Sequence, residues 1–297
     1  MRHTVAENVA IARSNDSRQA SRTRLIARIP EFGKYVRALF ILVITCVAVS
    51  FTLRAIGQEI VGIPINEQAR LLLRDAGRAL VEGKFAEVLE KSTRVAQLLP
   101  DDARVQQRVG ELLYRSGHVM ESLKPFDRTI ELNPAQADDN WQRGIALATA
   151  GEFEKGAQQF EGHHRVNPDD VENSAWHFLC VAKSQGLDAA RKALLPSRGD
   201  GRQPMMAILS LYRQEKSAKQ LLSELELLRL NSQEQQLAIF YAHLYLGLYY
   251  DALGMDKEAL QFLKQSSECV VSGYMVDVAR VYLSKRFKNT DSNADND

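Results

Sequence analysis

The 297-residue sequence has little of several features that would mark a specialised class of protein. Three cysteines are too few for a disulfide-stabilised fold, and an odd number cannot all pair within one chain. Eight prolines and 17 glycines exclude a collagen-like or low-complexity chain. The net charge of +1 shows no bias toward nucleic acid, and we expect no nucleic-acid partner. A hydrophobic fraction of 45% with 25% charged residues is typical of a chain that buries a core.

The sequence also has few groups arranged for catalysis. His163 and His164 are adjacent, so on a helix they project about 100° apart and do not easily share one metal ion. No His-x3-His or Cys-x2-Cys pair, phosphate-binding glycine loop or nucleophile elbow is present. We therefore expect a non-enzymatic protein with no metal or other cofactor, the alternative being an enzyme that uses His177. Cys180 and Cys269 are interpreted as small hydrophobic residues, although in an exported domain they could instead form a disulfide.

One long apolar run is present, and it lies near the start of the chain. Residues 38–53 carry no charge, and ten of these 16 residues are Leu, Ile, Val or Phe. A helix of this length spans about 24 Å, short of a hydrocarbon core of about 30 Å, but the stems of Arg37 and Arg54 can extend it. The sequence therefore predicts a transmembrane helix or signal peptide over residues 35–57. A basic, largely disordered arm is expected over residues 1–34.

The charges on the two sides of this run predict its orientation. Residues 1–37 carry eight basic and three acidic side chains, whereas residues 54–70 carry two of each. Positive charge stays on the cytoplasmic side of a membrane, so we expect a cytoplasmic N-terminus and an extracytoplasmic domain after residue 54. Retention of residues 38–53 as a single-pass anchor and cleavage near residue 57 both fit the pattern. A domain that stays in the cytoplasm is the alternative.

Glycines and prolines recur with a period of 34 residues. Two series keep this spacing over three units: Gly83, Gly117 and Gly151, and Pro100, Pro134 and Pro168. Such a glycine supplies the left-handed conformation that ends a first helix, and such a proline stops a second helix. Gly110 and Gly144 share the period, as do Phe126 and Phe160. Glycine inside a helix costs about 1 kcal/mol relative to alanine, so a neighbouring helix is expected to pack against it.

This pattern resembles the tetratricopeptide repeat (TPR) family. The resemblance implies an all-α solenoid of helical hairpins that follows a right-handed superhelix. The residues that match the structural pattern of the family are Gly83, Gly110, Gly117, Phe126, Pro134, Gly144, Gly151, Phe160, Pro168, Gly247, Gly254 and Ala259. Three tandem units are expected over residues 65–170, and divergent helical hairpins over residues 171–236. A fourth TPR-like unit with a C-terminal capping helix follows over residues 237–287, and a disordered tail over residues 288–297.

The layout of residues 65–285 is similar to that of bacterial envelope TPR lipoproteins of the NlpI (new lipoprotein I) type. Those proteins are adaptors that bring envelope proteases and peptidoglycan hydrolases together, and they can form homodimers. The resemblance implies an adaptor that holds a protein or peptide in a concave groove, lined by the first helix of each unit. The groove positions of the family correspond to Arg104, Gln107, Glu111, Tyr114, Arg115 and Trp141. The alternatives are that Tyr114 and Trp141 only pack between repeats, or that the protein self-associates without a client.

Overall fold

The computed structural model describes residues 63–287, and within this range it contains helices and turns but no strand. The prediction of an all-α fold is confirmed for these residues. The predicted apolar segment at residues 35–57, the basic arm at residues 1–34 and the tail at residues 288–297 lie outside the described residues. None of the helices described is long and apolar enough to cross a membrane.

The helices of residues 63–287 follow one another through short turns and one longer loop. They are α1 (Ile65–Val81), α2 (Phe85–Leu98), α3 (Ala103–Arg115), α4 (Val119–Leu132), α5 (Trp141–Ala150), α6 (Phe153–Val166), α7 (Val171–Gln185), α8 (Leu187–Lys192), α9 (Met205–Tyr212), α10 (Ala218–Leu227), α11 (Ser232–Ala252), α12 (Asp256–Ser267) and α13 (Tyr274–Arg286). Helices α1 and α2, α3 and α4, α5 and α6, and α11 and α12 pack as hairpins. Helix α7 packs against α6, α9 and α11.

Each of the four hairpins turns on a left-handed glycine. The backbone angle φ is 71° at Gly83, 85° at Gly117, 85° at Gly151 and 73° at Gly254. After Gly151, the N–H of Glu152 donates to the carbonyl oxygen of Leu147 at 2.9 Å and so closes the end of α5. A side chain with a Cβ is strained in this conformation, which is why glycine occupies the turns.

Two further glycines let the paired helices approach closely. A Cβ placed on Gly110 of α3 would lie 2.7 Å from Cδ1 of Phe126 on α4. A Cβ on Gly144 of α5 would lie 2.8 Å from Cζ of Phe160 on α6. Both phenylalanines are buried, so each fills the space that the missing side chain leaves.

The third hairpin begins later than the 34-residue period alone indicates. Pro134 begins a short 3₁₀ turn (Pro134–Gln136), and α5 starts only at Trp141. Asn140 caps α5, since its side chain accepts a hydrogen bond from the N–H of Arg143 at 3.2 Å. The turn therefore takes up residues that would otherwise extend the first helix of this unit.

Candidate functional site

The candidate site is the surface formed by the first helices of the repeats, α3, α5 and α7. Helix α13 lies against this surface, so the C-terminal helix does more than cap α12. The ring of Tyr274 stacks on Tyr114 with centroids 6.3 Å apart and meets Trp141 edge-on at 5.2 Å. The guanidinium of Arg115 donates to the carboxylate of Asp277 at 2.7 Å. Three of the predicted groove residues thus contact α13, and Tyr114 is fully buried and offers no surface to a partner while α13 is docked.

The second half of α13 is anchored by a buried carboxylate. Asp251 of α11 is fully buried and accepts a hydrogen bond from the hydroxyl of Tyr282 at 2.6 Å. It also accepts from Arg286 at 3.0 Å and pairs with Lys183 of α7 at 2.6 Å. The ring of Tyr282 packs edge-on against Trp176 of α7, with centroids 5.4 Å apart. These contacts connect α13 to both α7 and α11.

Arg280 extends the contacts of α13 to the first two hairpins. Its guanidinium lies 4.8 Å from the ring centroid of Phe85, at the start of α2. It also donates a hydrogen bond to the carbonyl oxygen of Arg115 at 2.5 Å, at the end of α3. The carbonyl groups at a helix C-terminus carry partial negative charge, so a guanidinium is stabilised there. Helix α13 therefore contacts helices from the first hairpin to the last.

We expect Arg115→Glu to loosen α13, because it places a second carboxylate beside Asp277 where an attractive pair now stands. The pair is mostly shielded from water, so a change of about 1.4 kcal/mol is reasonable, which corresponds to about tenfold faster amide hydrogen exchange in α13. Arg104→Glu is the control on the same helix, because Arg104 is exposed. The double variant Arg115→Glu, Asp277→Arg should recover only part of the protection, because Asp277 also pairs with Arg280 at 3.2 Å and that pair is lost. Unchanged exchange in the single variant would contradict the assigned role of the pair.

The part of α3 away from α13 remains uncovered. We define the α3 strip as Arg104, Gln107, Arg108 and Glu111; Arg104 and Arg108 are exposed, and Gln107 and Glu111 are half-buried. Gln107 accepts a hydrogen bond from the Asn140 side chain at 2.8 Å. Arg108 donates to Glu111 at 2.9 Å. The strip thus presents both charges and amide groups.

A pocket of about 300 Å³ lies between α5, α6, α7 and the first turn of α13. Its apolar lining consists of Trp141, Ile145, Phe160, Trp176 and Met275. Its polar lining consists of His163, Asp170, Glu172, Asn173 and Arg202. Trp141 is the one predicted groove residue among them. No sequence pattern indicated the polar set, because Arg202 lies in the loop before α9 and only the tertiary fold brings it to the start of α7.

The polar residues of the pocket form a connected cluster of charges. Arg202 donates to the carboxylates of Asp170 and Asp200 at 2.6 Å each, and it also pairs with Glu172. Glu172 accepts a further hydrogen bond from the hydroxyl of Tyr245. Burial raises the pKa of Glu172 to about 7, although the positive charge of Arg202 lowers it. Glu172 therefore changes its charge near neutral pH, which is unusual for a carboxylate.

The remaining candidate residues have structural surroundings. His177 is buried, and its Nε2 lies 3.3 Å from a carboxylate oxygen of Glu161; burial lowers the pKa of His177. Cys180 and Cys269 are both free thiols. Within residues 63–287, no group of three or more His, Cys, Asp or Glu side chains is placed to hold a metal ion. The other predicted structural residues lie as follows: Pro168 is in the turn between α6 and α7, Gly247 and Ala259 are buried where α11 packs on α12, and Gly254 turns that hairpin.

The described part of the chain is a TPR-like array of helical hairpins, a class that usually binds proteins and is usually non-enzymatic.

No protein-family model matches the sequence. The chain is 22% identical over 156 residues to a tetratricopeptide repeat and J domain-containing co-chaperone of Cryptococcus neoformans var. grubii. The match covers 52% of this chain and 29% of the co-chaperone, so the chain spans less than a third of that relative. A solved structure described as a MamA RS-1 ArsTM double mutant is similar with a TM-score of 0.41 and 15% identity, over 69% of this chain and 96% of that one.

Proposed function

We propose that the protein is a non-enzymatic scaffold that binds a protein or peptide partner on the α3 strip and the adjoining part of α5. The observation that carries the proposal is that α13 covers Tyr114 and Arg115 but leaves the α3 strip open. Arginine is among the side chains that most often dominate the energy of protein interfaces, and the strip contains two. The strip adjoins Trp141. Its Gln107 is hydrogen-bonded to Asn140, and Asn140 directly precedes Trp141 in the chain.

Two further considerations support a protein partner. The TPR-containing relative is a co-chaperone, which is a protein that acts together with other proteins. The resemblance to NlpI-type adaptors favours envelope proteases or peptidoglycan hydrolases as the class of partner. A homodimer formed through the same strip is an outcome that the experiment below distinguishes.

Site-specific photocrosslinking in intact cells tests the proposal. A photoreactive residue in place of Arg104 should crosslink to a second protein, because Arg104 is exposed on the strip. The control position is Met120, which is 61% exposed and lies on α4, the second helix of the same hairpin. Equal yields from both positions would contradict a specific site on α3. Crosslinks from position 104 only to another copy of the chain would replace the partner with self-association.

We further propose that residues 38–53 tether this scaffold, with the repeats on the outer side of the cytoplasmic membrane. The support is the uncharged run itself and the excess of basic residues before it. A reporter enzyme that is active only after export, fused after Asp297, should be active. Activity of a reporter that works only in the cytoplasm would overturn the placement and favour a scaffold that faces the cytoplasm.

A further inference from the structure

We propose that residues 274–277, the first turn of α13, are an internal ligand that occupies a binding slot for a segment of the partner protein. We define the aromatic slot as Tyr114, Arg115 and Trp141, three of the groove residues predicted from the sequence. The partner segment that fits this slot is a helical turn with an aromatic residue and, three positions later, an acidic residue. The inference rests on the proposed function in assigning this segment to a partner protein, and it adds a second contact point beside the α3 strip.

The aromatic slot holds the ring of Tyr274 through three different contacts. The ring stacks on Tyr114 and meets Trp141 edge-on, and the guanidinium of Arg115 lies 5.7 Å from its centroid. Stacked, edge-on and cation–π contacts are the favoured ways of binding an aromatic ring. The hydroxyl of Tyr114 is hydrogen-bonded to that of Thr149 on α5 at 3.1 Å. This wall of the slot is therefore fixed by contacts that do not involve α13.

The charges at the slot call for an acidic residue next to the ring. Asp277 pairs with Arg115 at 2.7 Å and with Arg280 at 3.2 Å, and among the described residues it is the carboxylate that pairs with Arg115. When the first turn of α13 moves away, both guanidinium groups lose this carboxylate. Tyr274 and Asp277 are three positions apart, so they lie on one face of a helix. A partner segment with the same spacing restores the aromatic and the ionic contact together.

The first turn of α13 is held imperfectly on the slot. The hydroxyl oxygen of Tyr274 is buried and has no hydrogen-bond partner, which is unfavourable. Gly273 precedes the helix and has no side chain to cap its first turn. A cleft of about 390 Å³ remains between this turn and the first hairpin, lined by Leu80, Phe85 and Val276 among others. These features reduce the stability of the first turn relative to the rest of the helix.

Opening can be confined to the first turn and the linker that precedes it. None of residues 268–277 is fully buried, and Val270 in the linker is 91% exposed. By contrast, Val278 and Tyr282 are buried, and Asp251 anchors the second half of α13. The first turn can therefore leave the slot while the second half of the helix stays in the core.

Binding of a synthetic peptide to the full chain tests the proposal. The probe is a fluorescein-labelled peptide with the sequence of residues 270–281, and two control peptides carry Tyr274→Ala or Asp277→Asn. The receptor is the full chain with Tyr274→Ala, kept in mild detergent, because this change weakens the internal ligand and leaves the slot intact. Fluorescence anisotropy should show saturable binding of the probe and at least about tenfold weaker binding of each control peptide, which lacks one contact. Equal binding of the three peptides, or no saturable binding of the probe, would overturn the proposal.

A comparison of full-chain variants shows whether α13 competes with the probe. Tyr274→Ala should bind the probe at least about tenfold more tightly than the unmodified protein does, because apparent affinity rises with the fraction of molecules whose slot is open. Val270→Ala is the control, since this side chain lies in the linker and is 91% exposed, and it should leave the affinity unchanged. Equal affinities of the Tyr274→Ala and unmodified proteins would show that α13 is not an internal ligand.

If Tyr274→Ala does not fold, amide exchange in the unmodified protein decides the question. In an α-helix the N–H groups of residues 278–280 donate to the carbonyl oxygens of residues 274–276. A saturating concentration of the probe should therefore speed their exchange by at least about tenfold, whereas the control peptide with Asp277→Asn should have a much smaller effect. Exchange that stays the same with the probe would overturn the proposal.

Two further outcomes separate the possible occupants of the slot. A dimer of the unmodified protein that the probe dissociates would assign the slot to α13 of a second copy and overturn the assignment to a partner protein. Crosslinking from position 104 without probe binding would overturn this inference alone. Probe binding without such crosslinking would overturn only the partner site on the α3 strip.

Discussion

Asp251→Ala is expected to lower the free energy of unfolding by about 3–5 kcal/mol, because it removes the common partner of a buried charge network. Its carboxylate is fully buried and joins three elements: Lys183 on α7 at 2.6 Å, and Tyr282 and Arg286 on α13 at 2.6 and 3.0 Å. Without it, the hydroxyl of Tyr282 remains buried without its acceptor, and two cations lose their counter-charge. Urea denaturation followed by circular dichroism measures the change.

The control for Asp251→Ala is Asp256→Ala. Asp256 accepts from the same guanidinium, that of Arg286, at 2.8 Å, but its side chain is 62% exposed. An exposed ion pair contributes about 0–1 kcal/mol, so this variant should be close to the unmodified protein. Equal losses of unfolding free energy in the two variants would contradict the claim that the burial of Asp251 makes its contribution large. Because Asp251 anchors α13, its loss should also speed amide exchange in that helix.

Gly247→Ala is expected to destabilise the protein by about 1–3 kcal/mol, although alanine is the better helix former. A Cβ on Gly247 would lie 2.6 Å from Cγ of Leu263 and 3.2 Å from its backbone nitrogen. The backbone of α12 would have to move away from α11, since a rotation of the leucine side chain relieves only part of the contact. Thermal or urea unfolding measures the loss.

Gly77→Ala is the matched control, because Gly77 is also inside a helix, α1, but a Cβ there meets no atom within 4 Å. The helix propensity of alanine should then act alone and stabilise the protein by up to about 1 kcal/mol. The two glycine variants should therefore have effects of opposite sign. Effects of the same sign would contradict the close approach of α11 and α12.

Variants of Asp251 and Arg115 bear on function through α13. Asp251 holds the second half of this helix, while Arg115 and Trp141 contact its first half. Variants that loosen either half should uncover Tyr114 and the part of the groove that α13 now fills. Comparing crosslinking from position 104 in these variants would show whether the partner gains access to a longer surface.

The positions of the hairpin turns followed from the sequence alone. Gly83, Gly117 and Gly151 are needed where the backbone turns left-handed, and this requirement depends only on local conformation. The pairing of Gly110 with Phe126 is also readable, since the two residues are 16 apart and belong to one hairpin. Local geometry and short-range packing require the same residue types at the same positions of each unit, so they are visible in the sequence as a period.

The place of α13 and the composition of the pocket were decided only by the tertiary structure. Arg115 and Asp277 are 162 positions apart, and the loop residue Arg202 meets Glu172 from 30 positions away. These contacts occur once, so no period marks them, and charged residues of the same kinds are common on any exposed helix. The sequence by itself determined a row of helical hairpins, because each hairpin is specified by its own turn and its own close contact. Which face those hairpins leave open depends on where α13 packs. The position of α13 is determined by contacts between residues that are far apart in the sequence.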